Sequence, residues 1–411
     1  MSGLGTGIRV LARYGAREFS RRAVRRLSDR IGAAAPEIAL HDADIADSGQ
    51  LDLRVPSTRP RQGSPLTIGW VLTPPGPGSG GHTTLFRMVA AAEAAGHRCI
   101  LFLTDYYGGD RTRHERVIRQ WWPQLRAEVR SADDGIVGLD AAVASSWETA
   151  HVLATRGTGP MRRLYFIQDY EPWFHPRGAA SALAEDSYRF GFRCIALGET
   201  VARALREEVG VASEVVTFGC DTSVYRLTPG ATREGVVAFA RPGVARRGWE
   251  LTRLALARFH AMRPEVTIHT YGDRLPDLPF AATQHGRLTP AELNDLYARC
   301  VAGVAMSFTN ITLVADEMLA AGVVPVIGDN EYARAGLAGA AVAWARPTPG
   351  GIAQELAAVL DRPDREAQAR HASTTARPDG WARAQAEVLR IIEDEVHGDV
   401  LDVVPAEAVA P

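Results

Sequence analysis

The chain has 411 residues, of which 46% are hydrophobic and 23% charged, a composition typical of folded globular proteins and unlike that of fibrous or disordered chains. At this length we expect two or three domains. The 46 basic residues nearly balance the 48 acidic ones, giving a formal net charge of −2, which excludes a protein whose whole surface grips nucleic acid.

Every basic residue is an arginine, because the sequence contains no lysine. This excludes pyridoxal enzymes, Walker ATPases and other mechanisms that need a lysine. No apolar run approaches the roughly 20 residues that span a bilayer, and the first residues lack the apolar core of a signal peptide. The cysteines show no CxxC spacing, so we interpret them as reduced, buried thiols of a cytoplasmic protein. They are Cys99, Cys194, Cys220 and Cys300.

Residues 1–62 are interpreted as a basic N-terminal arm and a linker, with a segment that wraps the protein as the alternative for residues 33–63. Within residues 1–32, eight arginines face two carboxylates, for a net charge of +6, and apolar residues recur at helical spacing. This pattern fits a helix lying on an anionic membrane surface. It fits equally well a solvated helix that packs on the body of the protein.

From residue 66 onward, short apolar runs alternate with amphipathic segments, which predicts a doubly wound α/β fold. Two sets of such runs predict two Rossmann-like domains with a cleft between them, joined near residues 218–230. The predicted strands are residues 66–72, 99–103, 141–144, 164–167, 194–197, 236–240, 266–271, 301–306, 323–327 and 341–343. We assign residues 63–225 to the first domain, 226–397 to the second and 398–411 to a flexible tail.

Residues 76–81 match the pattern GxGxxG between a strand and a helix. Pro77 lacks the N–H that a pyrophosphate would use, which argues against a dinucleotide oxidoreductase. Gly80 and Gly81 still predict a helix N-terminus that a ligand can approach closely. A Gly/Pro-rich surface loop is the alternative.

Arginines follow the first strand of the second set. Arg241 ends that strand and Arg247 comes six residues later, before Gly248 and a helix. In open α/β sheets ligands bind at the carboxyl ends of the strands, and arginine has forked donors for phosphate. The pair therefore predicts a phosphate site, with a solvated charge pair as the alternative.

The segment from residue 306 to residue 322 predicts a polar loop between a strand and a helix. Its first residues, Ser307, Thr309, Asn310, Ile311 and Thr312, would offer hydroxyl and backbone N–H groups to a phosphate or sugar. Further on, Glu317 lies among apolar neighbours, where a carboxylate needs a partner. A ribose diol is one such partner, and an arginine or a backbone contact is the alternative.

Taken jointly, the chain from about residue 66 to residue 396 resembles the GT-B glycosyltransferases of the large retaining family 4. The residues that carry the resemblance are Gly80-Gly81, Gly96-His97-Arg98, Gly219-Cys220-Asp221, Arg241, Arg247-Gly248, Gly286-Arg287-Leu288 and 317–326. Residues 167–171, 240–242, 246–248 and 306–310 resemble the rhamnosyltransferase branch that builds bacterial surface polysaccharides. Such enzymes use dTDP-β-L-rhamnose.

The resemblance implies roles for these residues. Arg241 and Arg247 would neutralise the diphosphate leaving group, Glu317 would hold the ribose, and residues 286–288 would meet the base. Residues 309–312 would contact phosphate and donor sugar, and Gly80-Gly81 would let the first domain close over the reaction centre.

The chain departs from the family pattern at two places. Thr309 stands where the family has the first of two glutamates, and Gln168-Asp169 stands where many members have a histidine. Asp169 or Glu171 could stabilise the positively charged sugar of the transition state or accept the acceptor's proton. Their alternative is a structural carboxylate bonded to loop amides.

The one Asp-x-Asp sequence, Asp42-Ala43-Asp44, falls in the linker, so we expect a metal-independent transfer without a resident cofactor. The resemblance alone implies that the transfer proceeds with retention. The partners would be a nucleotide-sugar donor, a glycan or lipid-linked acceptor and possible membrane contact through the arm, with no nucleic acid. A sugar-nucleotide 2-epimerase and a non-catalytic nucleotide- or glycan-binding subunit are the alternatives, and Thr309 favours the second.

Overall fold

The computed structural model describes residues 38–310, 313–377 and 380–398, and within them the chain forms two parallel β-sheets with helices between the strands. This confirms the predicted α/β fold class. The predicted basic arm, and the predicted tail from residue 399 onward, lie outside the described residues.

The first sheet has seven strands in the order β3-β2-β1-β4-β5-β6-β7. They are β1 (Thr67–Leu72), β2 (Arg98–Leu103), β3 (Glu128–Ser131), β4 (Ala141–Ala144), β5 (Arg162–Ile167), β6 (Arg193–Leu197) and β7 (Glu214–Val216). The α-helices along this part of the chain are α1 (Gly80–Ala94), α2 (Arg111–Trp121), α3 (Trp147–Arg156), α4 (Ala179–Ser187) and α5 (Glu199–Val209). Short 3-10 helices lie at Asp42–Asp44, Ala132–Asp134 and Glu171–Phe174.

The second sheet has six strands in the order β10-β9-β8-β11-β12-β13. They are β8 (Gly235–Ala240), β9 (Ile268–Gly272), β10 (Thr283–Gln284), β11 (Cys300–Val304), β12 (Val324–Gly328) and β13 (Ala343–Ala345). A 3-10 helix spans Ala245–Arg247, and the α-helices are α6 (Trp249–Met262), α7 (Pro290–Tyr297), α8 (Leu313–Ala320), α9 (Glu331–Gly336), α10 (Pro349–Leu360), α11 (Arg365–Thr375) and α12 (Ala382–His397).

The interior strands are covered by helices on both faces, and their sequences are therefore nearly continuous apolar runs. In β1, for example, every side chain from Ile68 to Leu72 is buried. All ten predicted strands are present. The last begins two residues later than predicted, because its run of small residues carries no turn signal and pairing of Ala343 with Val326 sets its register.

Three further strands, β3, β7 and β10, have no counterpart in the sequence prediction. Each lies at an edge of its sheet. An edge strand is covered on fewer sides, so polar residues are tolerated there and the apolar run that signals a strand is lost. The sequence Glu128–Ser131 and the two-residue strand Thr283–Gln284 show this.

The segment that follows residue 40 packs on the helix α3, which agrees with the wrapping alternative rather than with a linker. Leu40 and Ala46 are buried. The Asp44 carboxylate pairs with Arg156 at 2.6 Å, and the Ala46 N–H donates to Nδ1 of His151 at 3.0 Å. Both partners lie on α3, so the segment is anchored to that helix.

The last helix, α12, packs on the first sheet, although the sequence assigned residues 226–397 to the second domain. Trp381, Val388 and Ile392 share one hydrophobic cluster with β1 and α1. The chain thus returns to the first sheet, because the apolar stripe of α12 is buried there. Where it returns, Gly219 contacts Gly380, and a Cβ on Gly219 would lie 2.2 Å from the Gly380 carbonyl oxygen.

The four cysteines are buried and form no disulfide with one another, as predicted. Among the described residues, no helix combines the length and the apolar character that crossing a bilayer requires.

Candidate functional site

A cavity of about 610 Å³ lies between residues that follow strands of the two sheets, and we call it the central cavity. The residues that line it come after β1, β4, β5, β8 and β11, at the carboxyl ends of the strands. Nine of the residues singled out from the sequence meet here: Gly80, Gly81, Gln168, Asp169, Glu171, Arg241, Arg247, Asn310 and Glu317.

Three arginines after β8 form one wall of the central cavity. Arg241 is exposed, whereas Arg247 is half-buried and donates to the Ser307 hydroxyl at 3.2 Å. Burial lowers the pKa of Arg247 to about 10, and the nearby Asp169 carboxylate opposes this shift. Arg246, whose guanidinium lies 4.1 Å from the centroid of the Phe174 ring, is the third. Three guanidinium groups therefore border the cavity on one side, and this wall attracts anions.

The N-terminus of α1 lies at the same cavity. Helix α1 begins at Gly80, and its first N–H groups have no partner within the helix. A Cβ on Gly80 would meet no atom within 4 Å. The protein's own packing therefore does not require glycine there, and the missing side chain leaves the backbone open to a ligand. The Gln168 amide bonds the Gly81 carbonyl at 3.1 Å and orients this turn.

Glu317 reaches the central cavity from α8, while its neighbour Asp316 turns away and pairs with Arg377 at 2.7 Å. Burial raises the pKa of Glu317 to about 7, and a hydrogen bond with the Tyr225 side chain opposes this shift. The carboxyl group lacks an arginine partner among the described residues, so the arginine contact considered from the sequence is not formed. A half-buried carboxylate at a cavity is a candidate acceptor for ligand hydroxyls.

We expect Glu317→Gln to become progressively more stable than the natural chain as pH rises through 7. Because folding raises the pKa of Glu317 from 4.5 to about 7, protonation of this carboxyl favours the folded state at acidic pH, and the contribution is lost as pH rises from about 4.5 through 7. Glutamine stays neutral and avoids that loss, so its advantage in the free energy of unfolding should grow by roughly 1–3 kcal/mol after allowance for partial exposure. Urea unfolding of both proteins at about pH 5 and about pH 8 measures this difference. Glu250→Gln, at an exposed carboxylate, is the control, and an equal pH response of both variants would contradict the assignment.

A buried hydrogen-bonded bridge joins the two sheets beside the central cavity. One oxygen of the Asp169 carboxylate accepts from the Thr309 hydroxyl at 2.8 Å, and the other accepts from the Asn310 N–H at 2.7 Å. The Asn310 amide donates to the Gln168 carbonyl at 2.7 Å. Burial raises the pKa of Asp169, and its hydrogen bonds and the positive charge of Arg247 oppose this shift.

These contacts match the alternative considered for Asp169 from the sequence, namely a structural carboxylate bonded to loop amides. They also engage the Thr309 hydroxyl and the Asn310 N–H, two groups that the sequence assigned to phosphate and donor sugar. The bridge forms because Thr309 and Asn310 are buried, and a buried polar group needs a partner.

Glu171 shares the first-domain side of the central cavity with Glu148, which the sequence analysis did not single out. The Glu171 carboxylate accepts from the Trp147 N–H at 2.5 Å and the Tyr165 hydroxyl at 3.3 Å. Burial, and then the negative charge of Glu148, raises the pKa of Glu171 well above its usual range. Two such carboxyls can hold one proton between them and exchange it with a ligand.

Several predicted residues lie elsewhere. Gly286, Arg287 and Leu288 are absent from the lining of the central cavity: Arg287 is exposed, 3.8 Å from Asp273, and Leu288 packs against a hydrophobic cluster. Ser307 and Thr309 line a second cavity instead. Ile311 and Thr312 lie outside the described residues.

Arg246 and Glu148 are the main lining residues to which the sequence analysis gave no role, although Arg246 lies within residues 246–248, which carry part of the resemblance. Arg246 directly precedes Arg247, which was predicted to bind phosphate, so the two adjacent arginines indicated a larger basic site. For Glu148 the signal was weaker: it follows Ser146, the N-cap of α3, at the end of a predicted strand. The described residues contain no cluster of three or more His, Cys, Asp or Glu side chains arranged to hold a metal ion.

No protein-family model matches the chain. The O-antigen biosynthesis protein RfbC of Myxococcus xanthus is 31% identical over an alignment of 230 residues that covers 53% of this chain and 18% of that protein. The chain thus spans less than one fifth of the length of this relative.

Among solved structures, HepE of Anabaena in complex with UDP-glucose matches with a TM-score of 0.59 at 16% identity, over 80% of this chain and 98% of HepE. WaaG, a glycosyltransferase involved in lipopolysaccharide biosynthesis, matches with a TM-score of 0.55 at 12% identity, over 81% and 100%. A putative UDP-N-acetylglucosamine 2-epimerase from Listeria monocytogenes matches with a TM-score of 0.54 at 10% identity, over 80% and 96%. At these identities the likeness shows the fold, which is the two-domain α/β fold called GT-B.

Proposed function

We propose that the chain is a GT-B glycosyltransferase of family 4 that moves a sugar from a nucleotide donor to a growing cell-surface polysaccharide or lipid-linked glycan. The observation that carries this proposal is the central cavity, where Arg241, Arg246 and Arg247 and the N-terminus of α1 border one space. Both features attract a diphosphate. The relative described as an O-antigen biosynthesis protein, the UDP-glucose complex of HepE and the description of WaaG support the proposal.

In this proposal the residues act mainly through charge. Breaking the anomeric bond leaves negative charge on the diphosphate, which Arg241, Arg247 and the open N–H groups at Gly80-Gly81 stabilise. Glu317, once ionised, accepts hydrogen bonds from the ribose hydroxyls. Asp169 positions Thr309 and Asn310 through the bridge rather than touching the sugar.

The first-domain carboxyls serve the acceptor. Glu171, whose proton is exchangeable with Glu148, takes the proton that the acceptor hydroxyl loses as it attacks the sugar. Because its pKa is raised, Glu171 acts as a base near neutral pH only in the state in which Glu148 and Glu171 hold one proton between them. Gln168 lies beside this pair and would donate to an acceptor or donor hydroxyl.

The donor proposed is dTDP-β-L-rhamnose, and the transfer proceeds with retention, without a metal ion or a resident cofactor. The rhamnosyltransferase-like residues near 168, 241, 247 and 309 support the donor, and the family resemblance supports retention. Arg241 and Arg247 perform the electrostatic task that a divalent cation has in other transferases. The enzyme would work in the cytoplasm, and residues 1–32 would bring it to the inner face of the membrane.

We expect transfer with dTDP-β-L-rhamnose to exceed transfer with UDP or GDP sugars, to survive excess EDTA, and to give a β-linked product. The protein is incubated with each donor and with membranes bearing lipid-linked glycan, and the product's anomeric centre is read by NMR. Activity restored to an EDTA-treated enzyme by Mg²⁺ contradicts metal independence, and an α-linked rhamnose contradicts retention. Rapid transfer from another donor alone contradicts the rhamnose assignment.

A 2-epimerase is the second candidate, because its fold is shared and the Glu148–Glu171 pair could exchange a proton with a sugar carbon. Incubation with a nucleotide sugar and no acceptor separates the two functions. An epimerase converts the donor under these conditions, whereas the proposed transferase leaves it unchanged apart from slow hydrolysis.

A further inference from the structure

A second cavity, of about 620 Å³, lies on the other side of the Asp169–Thr309–Asn310 bridge, and we call it the lateral cavity. It shares no lining residue with the central cavity. Its walls come from both sheets: Trp173 belongs to the segment after β5, Phe308 follows β11, and Tyr332 lies in α9. A ligand there would contact both domains without entering the central cavity.

The lateral cavity contains an aromatic platform held in a fixed orientation. The rings of Trp173 and Tyr332 meet edge to face with their centroids 4.9 Å apart. The Tyr332 hydroxyl donates to Glu208 at 2.8 Å, and the Tyr332 carbonyl accepts from Thr200 at 3.0 Å. The Phe308 side chain is 52% exposed at the same cavity, although burial of such a ring is favourable. The platform is thus preorganised and leaves apolar ring surface open to a ligand.

The charges around this platform disfavour a phosphate. The lining includes the carboxylates of Glu185, Glu208 and Asp329 against the single arginine Arg177, and Asp329 also pairs with Arg334 at 2.6 Å. The lining thus offers a phosphate one arginine, whereas the central cavity offers three. Carboxylates and aromatic rings together suit an uncharged polyol, whose hydroxyls donate to carboxylate oxygens while its C–H face lies on a ring.

We propose that the lateral cavity is a binding site for a neutral oligosaccharide, namely sugar residues of the acceptor or product chain that lie several units from the reacting hydroxyl. The identification of this glycan as the acceptor rests on the proposed function, whereas its binding does not. A growing chain that contacts both domains here would stay attached between successive transfers.

The test measures binding without any transfer. Neutral oligosaccharides from bacterial surface rhamnans, galactans and glucans are titrated into the protein in the absence of nucleotide sugar, with hyaluronan fragments as the acidic comparison. We expect a neutral oligosaccharide to bind, hyaluronan to bind more weakly, and Phe308→Ala and Trp173→Ala each to weaken binding by roughly 3- to 10-fold. Trp173→Phe keeps a ring and restores part of the affinity.

The controls separate this site from the central cavity. Tyr107→Ala removes an aromatic side chain that is 70% exposed and outside the lateral cavity, and it should bind oligosaccharides as the natural chain does. Phe308→Ala should bind dTDP-β-L-rhamnose normally. Because Trp173 packs on Tyr170 as well, the exposed Phe308 gives the decisive variant if Trp173→Ala fails to fold.

Absence of oligosaccharide binding in the natural chain, or equal binding in Phe308→Ala, overturns the lateral site. Neither result touches the proposed function, which fails instead if Arg241→Ala and Arg247→Ala both keep the kcat/KM of the natural chain.

Discussion

Replacing Arg241 by alanine is expected to lower kcat/KM for sugar transfer by about 10²- to 10³-fold while leaving the free energy of unfolding unchanged. The arginine is exposed at the central cavity, so the fold does not depend on it. Its removal takes one charge-assisted contact from the diphosphate as negative charge develops, which typically costs roughly 2–4 kcal/mol in the transition state. Steady-state kinetics together with a urea unfolding curve measure both quantities.

Arg253→Ala is the matched control, because Arg253 lies on α6 and pairs only with the exposed Glu250 among the described residues. It should leave both kcat/KM and stability unchanged. Arg247→Ala should lower kcat/KM at least as much as Arg241→Ala, but with some loss of stability, since Arg247 also bonds Ser307 and balances Asp169. Unchanged kcat/KM in both cavity variants would remove the arginine wall from the mechanism.

The second large effect is expected at Asp169, where alanine should lower the free energy of unfolding by about 3–5 kcal/mol. The change leaves the buried Thr309 hydroxyl and Asn310 N–H without their acceptor and removes a carboxylate that faces Arg247. Asp169→Asn should be far milder, because its carbonyl oxygen accepts from Asn310 and its amide donates to the Thr309 hydroxyl. Urea unfolding and kcat/KM of both variants are measured together.

This pair of variants separates the two roles considered for Asp169. If the carboxylate acts through the bridge, Asp169→Asn retains kcat/KM to within about tenfold. A loss of about 10³-fold in Asp169→Asn, with normal stability, would instead show that the negative charge itself takes part in the chemistry. Thr309→Val, which removes only one hydrogen bond of the bridge, should lower stability by about 1–2 kcal/mol.

Much of the fold was predictable because the interior strands are buried on both faces and leave apolar runs in the sequence. The edge strands β3, β7 and β10 were not, since partial exposure removes that signal. The return of α12 to the first sheet was also missed. An amphipathic helix shows that it needs an apolar partner but does not show which sheet provides it.

The site was predictable where its residues follow a strand directly. The carboxyl ends of neighbouring parallel strands meet, so Arg241, Arg247, Gly80 and Glu317 could be expected to converge. The bridge from Asp169 to Thr309 joins positions 140 residues apart, and no local pattern reports such a contact. Glu148 was missed for the same reason, because its significance depends on Glu171, which is distant in sequence and close in the cavity.

The position of the donor can be seen in a crystal structure of the protein with bound dTDP-β-L-rhamnose. We expect diphosphate oxygens within hydrogen-bond distance of the Arg241 and Arg247 guanidinium groups, with the ribose hydroxyls on the Glu317 carboxylate. A nucleotide bound in the lateral cavity, or at any site that leaves Arg241, Arg247 and Glu317 without a contact to it, would show that the central cavity is not the donor site.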